Sequence, residues 1–178
     1  KPIFDIVGHH PHPVSSTERP WLEHSDARFI SFGDIGRLVG ALNEAFGGTA
    51  QRTPARGLPI WYLETGYQTV PDAAKRGLYT GTENWPGTLS DEAGGEPSQP
   101  PPAADSAAPD QATQLTDSIR LAYCQPNVQA VFNFLLRDER ELGAWQSGVL
   151  WADGTRKDSY DAFRRVVANV HSGAVDCS

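Results

Sequence analysis

Glu64 stands out by its position. It follows Ile60-Trp61-Tyr62-Leu63, an unbroken apolar stretch, and precedes Thr65-Gly66-Tyr67-Gln68-Thr69. A carboxylate where a buried strand meets the mouth of a fold is costly to hold charged without a partner. Such a group is either paired with a neighbouring Arg or Lys or kept for chemistry. Tyr67 is near enough in sequence to hydrogen-bond the same carboxylate. A second group of interest is Gly8-His9-His10-Pro11-His12-Pro13, where His10 and His12 alternate and so share one side of an extended segment. That spacing suits two metal ligands, but a complete hydrolase centre needs further ligands, and only His24 and His171 remain. Hydrogen bonding to a substrate is the preferred reading, and no metal or other cofactor is expected. A third group comprises Asn133, the run Arg137-Asp138-Glu139, and Trp145-Gln146-Ser147-Gly148. Asn43-Glu44 also has the look of an acid–base pair. It falls inside a helical pattern, however, with Glu44 off the apolar stripe, which suits a solvated carboxylate.

The elements that must position these groups are three apolar runs, each followed by a helical pattern. Ile3 to Val7, Leu58 to Leu63 and Val128 to Leu136 read as buried strands. They are almost continuous rather than alternating, as in a parallel sheet covered on both faces. Ile35, Leu38, Val39, Leu42 and Phe46 recur at helical spacing after Ser31-Phe32-Gly33-Asp34, which fits a capping box. Leu115, Ile119, Ala122 and Tyr123 predict a second helix, stopped by Gln125-Pro126. Tyr160, Phe163, Val166, Val167 and Val170 predict a third. Strand–helix repeated three times predicts an α/β fold of parallel βα units, in a barrel or a doubly wound sheet. In such folds working residues gather past the C-terminal ends of the strands. All three groups above lie there.

The chain has 178 residues, 15 basic and 22 acidic side chains, a net charge of −7, and no methionine. It starts at Lys1, which suggests a processed or excised segment. No apolar run approaches the roughly 18 residues of a membrane span, and no Lys/Arg stripe is present to neutralise nucleic acid. The charge is local. Residues 81–112 hold six acids, no Lys or Arg and six of the fourteen prolines, so the rest of the chain has 15 basic against 16 acidic residues. From Asp91 to Ala112 there is no large apolar residue, and nothing offsets the entropy of ordering the backbone. This stretch is expected to be a disordered acidic, proline-rich insertion. Trp85 near its base is the one group there suited to touch a substrate.

Taken together, these segments resemble the C-terminal part of a retaining glycoside hydrolase with a (β/α)8 barrel, similar to cellulase family 5 and its clan. Phe4-Asp5-Ile6-Val7-Gly8-His9-His10-Pro11-His12-Pro13 resembles the sixth strand, and Leu58-Pro59-Ile60-Trp61-Tyr62-Leu63-Glu64-Thr65-Gly66 the seventh. Val128 to Leu136, with Gly143-Ala144-Trp145-Gln146-Ser147-Gly148-Val149-Leu150, resembles the eighth strand and its loop. Asp153-Gly154-Thr155-Arg156-Lys157-Asp158-Ser159-Tyr160-Asp161-Ala162-Phe163 resembles the approach to the last helix. The resemblance makes Glu64 the nucleophile and His10 its neighbour near the scissile sugar. His12 stands where the clan usually has Tyr. Tyr67, Trp145 and Asn133 would line the nearest subsite, with Trp85 and Trp21 as loop candidates. The implied substrate is a polysaccharide or β-glycoside, and the implied location is outside the cell.

The same resemblance implies an incomplete site. A retaining mechanism needs a second carboxyl about 5–5.5 Å from the first, and in the clan it belongs to the fourth strand. About 145 residues lie outside the insertion, against roughly 250 in a full barrel. The expectation is a partial barrel of three βα units, inactive alone and completed by units from the same gene or another chain. The alternative is a non-catalytic carbohydrate-binding or scaffold remnant. Cys124 and Cys177 are the two cysteines; they could pair and pin the tail to the helices, or remain thiols.

Overall fold

The computed structural model describes residues 1–83 and 109–177. Six main elements follow one another: β1 (Val7–His9), α1 (Ile35–Phe46), β2 (Ile60–Thr65), α2 (Gln111–Cys124), β3 (Val128–Asn133) and α3 (Ser159–Ser172). The strands form one parallel sheet in the order β1-β2-β3. The fold is therefore mixed α/β, with strand and helix alternating three times. No described helix is long and apolar enough to cross a membrane.

The core lies on one face of this sheet. Ile60 and Tyr62 are fully buried and pack with Phe32 and Ala122, flanked by Ile35, Leu38 and Val39 of α1 and by Val128 and Val131 of β3. A second cluster joins Tyr67, Leu115 and Val149 to Tyr160 and Phe163 of α3. The opposite sheet face carries Trp61, whose ring lies 6.0 Å from that of Phe132. Beside them Leu63 is 44% exposed and Phe132 47%. The expectation of a sheet covered on both faces is thus corrected. Near-continuous apolar strands here mean an apolar second face that the described helices do not cover.

All three strands are bounded differently from the sequence reading; β2 runs Ile60–Thr65 where Leu58 to Leu63 is predicted, so Glu64 lies inside the strand rather than after it. The first ladder begins at Val7, not Ile3. Ile3 is exposed, and the backbone N–H groups of Ile3 and Phe4 donate to the Gln51 side chain at 2.8 and 3.3 Å instead of to a strand. The third strand leaves the ladder after Asn133, and the Phe134–Leu135 peptide is cis.

The predicted helices form, α1 over the predicted Ile35–Phe46 and α2 and α3 with longer ends. At α1 the expected capping box does not form: Asp34 is the N-cap residue and caps no helix N–H, its carboxylate accepting instead from the Ser31 backbone N–H and hydroxyl, each at 3.1 Å. Asp110 caps α2 by accepting from the Thr113 N–H at 2.6 Å. Gln111 and Ala112, assigned from sequence to the insertion, are buried in the first turn of α2. Residues 84–108 of that insertion lie outside the described residues. The first two turns of α2 are buried and polar, because they tie three loops together. Gln111 Nε2 donates to the carbonyls of Tyr67 and Gly148 (2.9 and 3.2 Å), and Gln114 Nε2 to those of Ser16 and Glu18 (both 2.7 Å). The loops after β1, β2 and β3 are therefore held by one helix start. At the other end, Cys124 forms a disulfide with Cys177, with Cα atoms 5.4 Å apart.

Candidate functional site

Glu64 sits near the C-terminal end of β2, where the pairing with β3 slips. Tyr62 faces Val131 and Thr65 faces Asn133, so three steps on β2 match two on β3. An extra residue of this kind re-aims side chains. Thr65 turns into the protein with Ile60 and Tyr62, while Leu63 and Glu64 face outward in part. The chain can turn after Thr65 only because Gly66 has no side chain. A Cβ there would run into the Phe134 carbonyl oxygen and the Ser147 side chain.

The two alternate histidines meet this carboxylate. His12 Nε2 lies 3.2 Å from Glu64 Oε1, and His10 Nδ1 lies 3.6 Å from Oε2. The Glu64 side chain is 28% exposed, His12 32% and His10 51%. Burial lowers the His12 pKa, and the facing Glu64 carboxylate works against that shift. His9 stands apart from them, with its Nε2 2.8 Å from the Ile30 carbonyl and its ring packed on Tyr62.

Trp145 completes the cluster. Its ring stacks on His12 at 5.8 Å and 27°, and Phe134 meets it edge-on at 5.6 Å. The surrounding loop is fixed from both sides. Gln68 accepts from the Gln146 N–H at 2.6 Å and donates to the Ala144 carbonyl at 3.2 Å. Glu139 accepts from the Trp145 N–H at 2.9 Å. Below it, Lys157 donates to Asp138 at 2.9 Å, to Thr69 Oγ1 at 2.7 Å and to the Gln146 carbonyl at 3.0 Å. Tyr79 donates to the other Asp138 oxygen at 2.7 Å. Burial raises the Asp138 pKa, opposed by Lys157 and Tyr79. A cavity of about 280 Å³ opens beside the cluster, lined by His12, Ser15, Ser16, Gly66, Gln68 and Trp145 among others.

Of the residues named from sequence, the structure brings Glu64, His10, His12 and Trp145 together. Tyr67 does not join them. It is fully buried in the core with Leu115 and Val149, its hydroxyl near Ser118 and Asp117, and burial raises its pKa. Asn133 is likewise a scaffold residue, donating to the Leu135 carbonyl at 2.6 Å and lying 3.4 Å from that of Ser147. Trp21 lies under the Arg19 guanidinium, 5.7 Å from it. Trp85 is outside the described residues. Glu44 is exposed on α1, as its place in the helical pattern suggests.

Several working contacts were not anticipated from sequence. Phe134, Gln68 and the Lys157–Asp138 pair carry no motif and meet only through loop folding. In the loop after β1, His24 joins Asp34 (Nδ1 to Oδ2, 2.7 Å) and Glu18 (Nε2 to Oε2, 3.1 Å), all three side chains largely buried. Hydrogen bonding to Asp34 is the main cause of a raised His24 pKa. Burial of Asp34 is outweighed by donors from His24 and Ser31, which hold its pKa at about 2.

Chemically, the cluster offers one carboxylate with two imidazoles, next to an indole face and a small cavity. It contains a single carboxylate among the described residues. No family model matches the chain, and neither characterised proteins nor solved structures show significant similarity to it.

Proposed function

We propose that the chain is the nucleophile-bearing part of a retaining glycoside hydrolase, a partial (β/α)8 barrel of three βα units. The observation that carries this reading is Glu64, presented at the C-terminal end of a parallel strand between two imidazoles and beside the Trp145 ring. A partly exposed carboxylate with flanking donors is oriented for attack on an anomeric carbon. An indole face suits the apolar face of a pyranose ring. In the glycosylation step a Glu64 oxygen forms a bond to the anomeric carbon as the bond to the leaving oxygen breaks. A second carboxyl would protonate that oxygen, and later activate water.

That second carboxyl is proposed to come from units packed on the open sheet face, where Leu63 and Phe132 lie. Parallel sheets with one bare apolar face are rare, so completion by further βα units accounts for the exposure. The Cys124–Cys177 disulfide suits an oxidising, extracellular setting. The test is turnover of aryl β-glycosides by the purified chain, with and without Glu64→Gln. Little or no hydrolysis is expected. Vigorous hydrolysis abolished by Glu64→Gln would overturn the incomplete-site reading while keeping Glu64 as nucleophile. Vigorous hydrolysis that survives Glu64→Gln would overturn both. Saccharide binding that Glu64→Gln leaves intact, without covalent chemistry at Glu64, would favour a non-catalytic carbohydrate-binding domain.

A further inference from the structure

The geometry points to a second use of the same cluster: His10, His12 and Glu64 form a three-ligand site for a divalent transition ion, of which Zn²⁺ is the best fit. Their ligand atoms all lie within 4.8 Å of one another. His12 Nε2 stands 3.2 Å from Oε1 and His10 Nδ1 3.6 Å from Oε2, so the two imidazoles face different oxygens of the one carboxylate. With Zn–N and Zn–O bonds near 2.0–2.1 Å, neighbouring ligands of one ion stand about 3.3–3.4 Å apart. Two imidazoles and a carboxylate suit Zn²⁺, and Ca²⁺ or Mg²⁺ far less, since those ions take oxygen ligands.

Sequence alone supplied two of these ligands and left the third unidentified, because Glu64 is 52 positions from His12. The local chain also prepares the site. His10 and His12 each precede a proline, which restricts both to extended backbone before any ion arrives. Stacking on Trp145 fixes the plane of the His12 ring. Of the three ligands, His12 lines the neighbouring cavity with Gly66 and Gln68, which offers space on that side for a water or a small oxygen ligand. The proposal does not depend on the glycosidase reading. Where both hold, an ion on Glu64 occupies the oxygen that would attack a sugar, so Zn²⁺ acts as an inhibitor.

The test uses the untagged, chelator-stripped 178-residue chain. Calorimetric titration with ZnCl₂ is expected to show one ion per chain, and Co²⁺ to give the absorption bands of a four-coordinate centre. His12→Ala and Glu64→Gln should each weaken Zn²⁺ binding by roughly 100-fold, whereas His171→Ala, on the exposed last turn of α3, should leave it unchanged. Histidine NMR of the unsubstituted protein removes dependence on variant folding: the His10 and His12 ring signals should shift with Zn²⁺ while those of His24 and His171 stay. No saturable binding, binding that survives both site substitutions, or ring shifts confined to His24 or His171 would overturn the assignment. Zn²⁺ binding without covalent sugar chemistry at Glu64 would keep this site and reject the nucleophile.

Discussion

Lys157 and Asp138 are fully buried, and they stabilise the loop that presents Trp145. Each compensates the other's charge, with Thr69, Tyr79 and the Gln146 carbonyl completing the donors and acceptors. Removing one partner leaves an uncompensated buried charge, which costs about 3–5 kcal/mol. Lys157→Met is therefore expected to lower unfolding free energy by that amount in urea denaturation; a loss below about 1 kcal/mol would show that the pair is not integral. His24 gives a pH-dependent counterpart. Its pKa is raised above 6.5 in the fold, so its contribution is complete below pH 6.5 and is lost as pH rises through the raised value. Asp34 works in the other direction: its contribution is present above pH 3.8 and is lost as pH falls through about 2. Stability from this cluster is greatest between those limits. Thermal melts of the wild type should decline above pH 6.5 more steeply than those of His24→Gln, with the variant about 2 kcal/mol less stable near pH 6. Parallel profiles for the two proteins would contradict this.

Among the elements, α2 connects most of the structure. Its buried Gln111 and Gln114 hold the loops after all three strands, and its last residue is bonded to the tail. The 53-residue separation of Cys124 and Cys177 makes the bridge a constraint on the unfolded chain. Cys124→Ser with Cys177→Ser is expected to cost roughly 2–4 kcal/mol by equilibrium unfolding; an unchanged midpoint would show that the tail is not pinned in solution. This level of organisation was partly legible in the sequence. Helical spacing located the apolar stripes of α1, α2 and α3, and the apolar run before Glu64 placed that residue at a strand mouth. The polar start of α2 was not legible, since buried glutamines have no periodic signature and composition assigned Gln111 to the acidic segment. Tyr67 was misplaced for a related reason. Distance along a loop says nothing about direction, and the tight turn at Gly66 sends Tyr67 into the core while Glu64 stays at the mouth.

At the scale of the molecule, the sheet face that the described helices leave uncovered is an energetic liability. Leu63 and Phe132 are about half exposed, beside Trp61. Substituting both with Ser should change stability little, within roughly 0.5 kcal/mol, because surface positions carry small costs. The same double variant should reduce binding of an apolar dye and any self-association. A loss of several kcal/mol would mean that the face is covered in solution by another copy or another segment. Glu64 as a glycosidase nucleophile is tested most directly by covalent trapping with 2,4-dinitrophenyl 2-deoxy-2-fluoro-β-glycosides of several sugars. The dinitrophenolate leaves without a proton, so the missing acid is not required, and fluorine slows release of the glycosyl-enzyme. Intact-mass and peptide analysis should find one fluoroglycosyl group per chain, on Glu64, and none on Glu64→Gln. An unlabelled chain, or a label on any other residue, would contradict Glu64 as the nucleophile.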